Sequence, residues 1–393
     1  MYRGDDGEMK LAMIGQRGIP SRAGGVEIHV EEIAKRLVKY GCEVDVYCRK
    51  GYCLEAGSAY SGINTIFTPY INLKSLEAFT HSFFSVVDAI FKHNDIIHFH
   101  ALGPSVLAFL PRLMGIRVIC TVHGLDWQRG KWGRLSKAFL KLGEYATARF
   151  ANRTISVSRT LVEYYRKKYG KEIEFVGNGI NINGRQPADL MEKNYGLKEN
   201  SYLLYLGRLV PEKGVHYLIE AYKRLDTGKK LVIAGGSSHS CRYEKNLHQL
   251  AEGNSNIIFT GFIKGMLLEE LLCNACIYIL PSDVEGMPIS LLEAMSYGTL
   301  CLVSDIAENR DVVRDYGYTF RHGDVDDLTA KMQTLLDIIP DKGRCGQPPL
   351  QYNGEIIPNS RERIIEYISK NFDWDVTSLC TYRIYESLLE NGS

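Results

Sequence analysis

Short apolar runs rich in β-branched and aromatic residues alternate along the chain with longer segments that carry apolar residues at helical spacing. This alternation predicts parallel sheets covered by helices on both faces. The predicted strands of the first half are Lys10–Ile14, Glu43–Cys48, Asn64–Pro69, Asp95–His100, Arg117–His123, Arg153–Val157 and Ile173–Gly177. Those of the second half are Tyr202–Leu206, Lys230–Ala234, Ile257–Thr260, Cys276–Leu280, Leu300–Ser304 and Tyr318–Phe320. Each series begins with a strand followed by a glycine loop, so we expect two similar α/β domains.

A polar segment without apolar periodicity, 181–200, separates the two series and is interpreted as the linker. We therefore expect an N-terminal domain over residues 1–182 and a C-terminal domain over residues 183–374. The segment Pro340–Asn359 is rich in Pro and Gly, which predicts an irregular insertion. Two helices are predicted after it, at Ser360–Lys370 and Val376–Leu389.

The composition excludes several classes of protein. A net charge of +1 over 393 residues provides no bulk field for nucleic acid, so no nucleic-acid partner is expected. The ten cysteines lack secreted-type spacing, residues 1–10 lack an apolar signal core, and no uncharged run is long enough to span a bilayer. A cytoplasmic protein with reduced thiols is the expectation. Cys273 and Cys276 form a single CxxC, which is interpreted as buried core thiols because no second pair completes a zinc site.

The segment Pro281–Gly298, PSDVEGMPISLLEAMSYG, follows an apolar strand and carries two glutamates eight positions apart. A helix is predicted from Pro288 to Gly298, which places Glu285 just before its N-terminus and Glu293 inside it. The two carboxylates then flank the backbone N–H groups of a helix start, which bind anions. A sugar attached to a diphosphate needs such a site, with negative charge in the middle and hydroxyls at both ends. The residues between the glutamates that line this predicted site are Gly286, Met287, Pro288 and Ile289.

Two further loops follow predicted strands and carry phosphate-binding chemistry. The first contains Gly24-Gly25 and opens a helix, although a tight turn without a ligand is the alternative. It is not a GxGxxG, and the second strand lacks a terminal acid for a ribose, which counts against a dehydrogenase. The second loop is GRLVPEKG, in which Arg208 and Lys213 would stabilise a departing diphosphate.

His123 ends a predicted strand beside Gly124 and is expected at the ligand-binding edge of the sheet. His98 and His100 alternate on another strand and point to the same face, where packing is the favoured role. Asp324-Val325-Asp326 matches a metal-binding DxD in letters, but Asp324 is better interpreted as a helix N-cap. No required metal is therefore predicted.

The motifs GGVE, strand-terminal HG, GRLVPEKG and EGMPISLLEA occur in the order found in family 4 glycosyltransferases, which the chain resembles over nearly its whole length. The resemblance implies the GT-B fold: two Rossmann-like domains facing each other across a cleft, with a C-terminal helix, here 375–393, crossing back to the N-terminal domain near FDW. It assigns Glu285 to the transferred sugar, Glu293 to the ribose, His123 to the reacting centre, and Arg208 and Lys213 to the leaving diphosphate. Gly24 and Gly25 would contact the diphosphate from the opposite side.

The resemblance further implies a retaining, metal-independent hexosyl- or deoxyhexosyltransferase that uses a nucleotide-diphosphate sugar as co-substrate and no separate cofactor. Its acceptor would be a glycan or a lipid-linked sugar in cell-surface polysaccharide or glycoconjugate synthesis, and a bacterial branch including rhamnosyltransferases looks similar. Two alternatives stay open. One is a nucleotide-sugar 2-epimerase of the same architecture, and the other is a non-catalytic nucleotide-sugar-binding partner of a membrane complex.

The segment Trp127–Arg153 contains seven Lys or Arg and one Glu, and a basic amphipathic helix is predicted over residues 131–153. Apolar residues recur at helical spacing, namely Trp132, Leu135, Phe139, Leu142, Ala146 and Phe150. Packing of this stripe on the sheet is the favoured interpretation. The alternative is that the basic face lies on an anionic membrane surface, which would make the protein peripheral on the inner face of the cell membrane.

Overall fold

The computed structural model describes residues 8–20, 24–52, 60–73, 76–130, 132–236, 241–338, 350–352, 355–357 and 361–390. The described residues form two compact units. The first comprises the chain up to Gly179 together with the part that begins at Trp374, and the second is Ile180–Asp373. The divisions predicted after residues 182 and 374 lie within a few residues of these.

The first unit is built on one seven-stranded sheet of order β3-β2-β1-β4-β5-β6-β7, in which every pair of neighbouring strands is parallel. Its strands are β1 (Lys10–Ile14), β2 (Glu43–Cys48), β3 (Asn64–Phe67), β4 (Ile96–His100), β5 (Arg117–Val122), β6 (Arg153–Ser156) and β7 (Glu174–Phe175). Its helices are α1 (Gly25–Lys39), α2 (Glu77–Phe91), α3 (Leu102–Ser105), α4 (Phe109–Leu113), α5 (Arg134–Arg149), α6 (Arg159–Tyr169) and the last helix of the chain. All five residues of β4 are buried, as expected for a central strand covered on both faces.

The second unit contains a six-stranded parallel sheet of order β10-β9-β8-β11-β12-β13. Its strands are β8 (Tyr202–Leu206), β9 (Lys230–Ala234), β10 (Ile257–Gly261), β11 (Ile277–Leu280), β12 (Cys301–Ser304) and β13 (Tyr318–Phe320). Its helices are α7 (Leu190–Tyr195), α8 (Val215–Tyr222), α9 (Cys241–Ala251), α10 (Met266–Asn274), α11 (Ile289–Ser296), α12 (Ala307–Val313), α13 (Val325–Ile338) and α14 (Arg361–Asn371). Buried apolar side chains from these strands and helices form one continuous core.

The C-terminal helix α15 (Trp374–Glu390) packs on the first unit, as the GT-B resemblance implied. The Arg36 side chain on α1 donates to Asp375 at 2.5 Å. The His98 ring on β4 contacts the Tyr385 hydroxyl at 2.6 Å, and Arg117 on β5 donates to the Leu388 carbonyl at 3.3 Å. These contacts anchor the start, middle and end of the helix.

Three sequence interpretations were wrong in detail. Part of the presumed linker folds as α7, because Met191 is fully buried in the core of the second unit. Part of the presumed irregular insertion forms an antiparallel hairpin, β14 (Leu350–Tyr352) with β15 (Glu355–Ile357). The basic helix covers only Arg134–Arg149, because Arg153 already belongs to β6, and Lys131 lies outside the described residues.

Candidate functional site

Two loops at the carboxyl ends of β8 and β11 are held in close contact by a glycine. Gly214 has φ +65°, and a Cβ atom there would lie 2.0 Å from the Pro281 carbonyl oxygen. The Asp283 N–H also donates to the Glu212 carbonyl at 2.9 Å. Only glycine combines this left-handed conformation with so close a backbone approach. The GRLVPEKG motif is thus fixed against the segment that carries Glu285.

Lys213 and Glu285 form an ion pair as a consequence of this approach. Lys213 ends a 3-10 turn, Pro211–Lys213, that directly precedes Gly214 and α8. Glu285 lies in the irregular segment between β11 and α11. Both side chains are largely buried, so this pair is less screened by solvent than a surface pair. The structure therefore brings together two residues that the sequence predicted to be catalytic.

The helix after Glu285 begins one residue later than predicted. Pro288 has φ −75° and ψ 108°, so it is the extended residue that caps α11 rather than the first helical residue. The Leu291 N–H donates to the Pro288 carbonyl at 3.1 Å, and Gly298, with φ +67°, follows the helix end as predicted. Gly286 and Met287 lie in the segment before the cap, while Ile289 opens the helix and is buried.

The remaining predicted residues of the second unit lie on the same two segments. Arg208 follows β8, where its carbonyl accepts a hydrogen bond from the buried Tyr205 hydroxyl at 2.9 Å. Glu293 lies in the second turn of α11 and is half-buried. The carboxyl ends of neighbouring parallel strands meet at one edge of a sheet. The two cations that follow β8 and the two carboxylates that follow β11 therefore lie at a common edge.

The predicted glycine pair of the first unit opens α1. Gly24 is extended, with φ −162° and ψ 156°, and its carbonyl accepts from the Ile28 N–H at 3.2 Å, whereas Gly25 is the first helical residue. The Glu27 carboxylate lies over this turn and accepts from the Arg17 N–H at 3.2 Å. A Cβ on Gly24 would lie 2.4 Å from a Glu27 carboxylate oxygen, so the turn is tight. The first-turn N–H groups of a 15-residue helix are suited to an anionic group.

His123 lies immediately after β5 and belongs to a group of histidines at the carboxyl ends of β4 and β5. The His100 and His98 rings lie 4.2 Å apart between centroids, which shows that they share a face as predicted. His98 has a structural role, since its two ring nitrogens contact the Tyr385 and Thr121 hydroxyls at 2.6 and 2.7 Å. His100 Nδ1 instead contacts His123 Nε2 at 3.3 Å.

Sequence reasoning missed His29, which α1 brings to the same place. Its ring centroid lies 4.6 Å from that of His123, and its Nδ1 contacts the Asn178 side-chain oxygen at 2.8 Å. Burial lowers the pKa of His29 to about 4 and that of His98 to about 3, and burial also holds the pKa values of His100 and His123 well below the ordinary value. These rings are therefore neutral near pH 7. The available signal was the motif VEIHV, which puts His29 one turn after the glycine pair.

The other candidate ligand groups behave as structural residues. The Asp324 carboxylate accepts from the Asp327 N–H at 2.9 Å at the start of α13, which is the predicted N-cap geometry. Cys273 and Cys276 are buried in the core of the second unit, as predicted. Within the described segments, no helix is both long enough and apolar enough to cross a membrane.

The predicted apolar stripe of α5 was right at Ala146, which is buried, but wrong at Leu135 and Leu142, which are exposed. The buried face of the helix runs through Leu140, Gly143, Glu144, Ala146 and Thr147. A Cβ on Gly143 would lie 1.9 Å from the Leu102 carbonyl oxygen, so this glycine marks where α5 packs on α3. The buried Glu144 carboxylate is satisfied by donors from Trp127, Tyr164, Lys168 and Tyr169.

Two family models match the chain in succession. The model described as Glycosyltransferase Family 4 matches residues 23–183, and the one described as Glycosyl transferases group 1 matches residues 188–347. The two matched ranges correspond closely to the two units and together cover most of the chain. With the two parallel-sheet units and the returning C-terminal helix, they define a glycosyltransferase of the GT-B type. The chain belongs to family 4 of these enzymes.

Relatives and solved structures agree with this assignment. The chain is 28% identical over 328 residues to an uncharacterized glycosyltransferase of Methanocaldococcus jannaschii, covering 78% of this chain and 83% of that protein. It is 29% identical over 265 residues to the UDP-Gal:alpha-D-GlcNAc-diphosphoundecaprenol alpha-1,3-galactosyltransferase of Escherichia coli, covering 63% of this chain and 67% of that one. The sucrose-phosphate synthase of Thermosynechococcus elongatus superposes with a TM-score of 0.80 at 19% identity, covering 98% and 100% of the two chains.

Proposed function

We propose that this glycosyltransferase transfers a hexosyl or deoxyhexosyl group, with retention of anomeric configuration, from a nucleotide-diphosphate sugar to a glycan or lipid-linked acceptor. The observation that carries the proposal is the Lys213–Glu285 pair at the start of α11. It sets a cation for the diphosphate beside a carboxylate for the sugar hydroxyls. The similarity to an enzyme whose name specifies a UDP-sugar donor and a lipid diphosphate acceptor supports both substrate classes.

The residues of the second unit would hold the donor. The Lys213 ammonium has three donors, so it can keep its contact with Glu285 while donating to a phosphate oxygen. Arg208 would add a second, planar cation, and the first-turn N–H groups of α11 would bind the same phosphate. Glu293, inside that helix, would accept from the ribose hydroxyls. A diphosphate held by such fixed charges is a better leaving group because the charge that develops on it is already compensated.

The transfer step follows the front-face course. The acceptor oxygen forms a bond to the anomeric carbon on the side from which the diphosphate departs, and the anomeric carbon–oxygen bond breaks. The acceptor proton passes to the departing diphosphate oxygen, so nucleoside diphosphate and glycoside are the two products. Glu285 would bind the sugar hydroxyls, and neutral His123 would hydrogen bond at the reacting centre. Positioning and fixed charge supply the catalysis without a metal or cofactor.

We propose in addition that α5 contacts the cytoplasmic face of the membrane, where lipid-linked acceptors are presented. Its exposed side carries Leu135, Leu142 and Tyr145 among the basic residues Arg134 and Lys141. Apolar side chains among cations suit an anionic lipid surface, because the cations bind headgroups while the apolar groups enter the interface. Flotation with vesicles containing phosphatidylglycerol tests this, and the double variant Leu135→Ser with Leu142→Ser should remain unbound. Equal flotation of the double variant would contradict the proposal.

The decisive experiment incubates the purified protein with nucleotide sugars and a lipid-linked acceptor, with EDTA present throughout. Formation of a glycoside with release of nucleoside diphosphate, and NMR coupling that shows the donor's anomeric configuration, is the expected result. Conversion of the donor in the absence of acceptor would favour the epimerase alternative. Donor binding without turnover would favour the non-catalytic partner, and loss of transfer in EDTA would overturn metal independence.

A further inference from the structure

Three histidines of the first unit offer one nitrogen each to a common point. Suitable nitrogens of His29, His100 and His123 all lie within 4.8 Å of one another, and in the described part of the chain this is the cluster with ligand spacing for a metal ion. The His100 Nδ1 to His123 Nε2 distance is 3.3 Å. Two nitrogens bound tetrahedrally to one zinc ion, at about 2.0–2.1 Å each, are themselves about 3.3 Å apart. For all three nitrogens to bind one zinc ion, the His29 ring therefore has to move inward by about 1 Å.

The orientation of His29 matches that of a metal-binding imidazole. With Asn178 as acceptor, Nδ1 carries the proton and Nε2 keeps its lone pair. That Nε2 is buried without a hydrogen-bond partner. A carbonyl oxygen that accepts from the other ring nitrogen, and so fixes the tautomer of the ligating ring, is characteristic of histidine metal sites. A buried acceptor nitrogen without a partner is costly, and a metal ion would satisfy it.

The neighbouring His98 shows by contrast why these three rings are selected. His98 is as deeply buried, but its two nitrogens contact the Tyr385 and Thr121 hydroxyls. It supports the cluster and cannot join it without losing these bonds. His123 is half-buried, so the side of the cluster that it forms leaves room for a fourth ligand from solvent.

We propose that His29, His100 and His123 bind one Zn²⁺ ion and that zinc binding inhibits sugar transfer. Three neutral imidazoles favour zinc over Mg²⁺ or Ca²⁺, which prefer oxygen ligands. The inhibitory part rests on the proposed function, in which His123 hydrogen bonds at the reacting centre. The ion is not part of the transfer step, so metal-independent catalysis and zinc inhibition are compatible.

Cobalt binding tests the site without reference to activity. Tag-free protein is treated with EDTA, dialysed and titrated with Co²⁺, whose visible absorption reports tetrahedral coordination. We expect one equivalent to bind, Zn²⁺ to displace it, and His29→Gln and His100→Gln each to weaken binding at least about tenfold, since losing even a residue that only orients a ligand costs about ten- to a hundredfold. His81→Gln, at a buried histidine outside the cluster, is the matched control and should bind as the parent does. Unfolding midpoints in EDTA establish that each variant is folded.

The inhibitory part is tested by transfer assays. Zn²⁺ should reduce transfer by the parent and the His81→Gln variant at least about tenfold, with full recovery in EDTA, while residual transfer by His29→Gln should resist zinc. Equal cobalt binding by the parent, His29→Gln and His100→Gln would overturn the site. Cobalt binding without zinc inhibition would overturn the inhibitory role alone. Absence of transfer in EDTA would instead contradict the proposed function, leaving the cobalt titration to decide the metal site.

Discussion

Lys213 and Glu285, separated by 72 positions in the chain, form an ion pair whose side chains are 13% and 8% exposed. The pair joins the turn after β8 to the segment after β11, two strands that are neighbours in the second sheet. It is the point where the two motifs that we propose bind the donor come into contact. Several consequences of this arrangement can be measured.

Replacing Glu285 with Ala should reduce transfer at least about a hundredfold, because it removes the carboxylate assigned to the sugar. Glu285→Gln should retain more activity, since its amide keeps one acceptor oxygen. The comparison of Lys213→Ala, Glu285→Ala and the double variant should be strongly non-additive in kcat/KM. Additive losses would show that the two side chains act independently, and near-normal turnover by Glu285→Ala would remove the site assignment.

Gly214→Ala should impair transfer because the new methyl group would collide with the Pro281 carbonyl and separate Lys213 from Glu285. Gly196→Ala is the matched control, since Gly196 has a similar φ of +61° but open space where the methyl group would be. The control should lose about 1 kcal/mol of unfolding free energy and retain its activity. Gly214→Ala should lose more stability and at least about tenfold in kcat/KM. Equal effects of the two substitutions would contradict the packing argument.

The buried histidines should make the first unit sensitive to acid. Their pKa values are lowered on folding, so the unfolded chain binds more protons and stability falls as the pH drops below about 6.5. For His29, whose pKa falls to about 4, the linked loss is about 3 kcal/mol by pH 4. Thermal unfolding between pH 7.5 and 4 should show the midpoint falling from near pH 6.5 downward. In His29→Gln the unfolding midpoint should fall less steeply with pH. An unchanged pH dependence would contradict the lowered pKa assigned to His29.

Glu144→Gln should destabilise the first unit by about 3 kcal/mol, because the buried carboxylate accepts hydrogen bonds from several donors. Burial acts to raise the pKa of Glu144, but the donors led by Lys168 outweigh it and hold that pKa below the ordinary value. Glu366→Gln, which removes an exposed pair with Lys370, should leave the unfolding free energy nearly unchanged. Urea denaturation of both variants tests the contrast. Comparable losses of unfolding free energy in the two variants would show that the hydrogen bonds to Glu144 add little stability.

The two sheets were largely predictable because buried parallel strands are short apolar runs bounded by loops, and all thirteen predicted strands overlap observed ones. The hairpin of β14 and β15 was missed because its residues carry no apolar run, and α7 was missed because a short helix is held by tertiary packing rather than by its own pattern. The α5 stripe was wrong at Leu135 and Leu142 for a related reason. Periodicity identified the helix, but the buried carboxylate of Glu144 and the close packing at Gly143 determined which side faces inward.

By itself, the sequence determined the family, the two α/β series and the residue types at each strand end, because motif order and local patterning are properties of the chain alone. Tertiary structure decided which of these residues meet. Gly214 could be identified as a turn residue from its neighbours, but its contact with Pro281 depends on β8 lying beside β11. The histidine cluster likewise required α1, β4 and β5 to converge, so His29 gained significance only when the chain folded. Contacts between distant segments depend on strand order and helix packing, which local spacing does not encode.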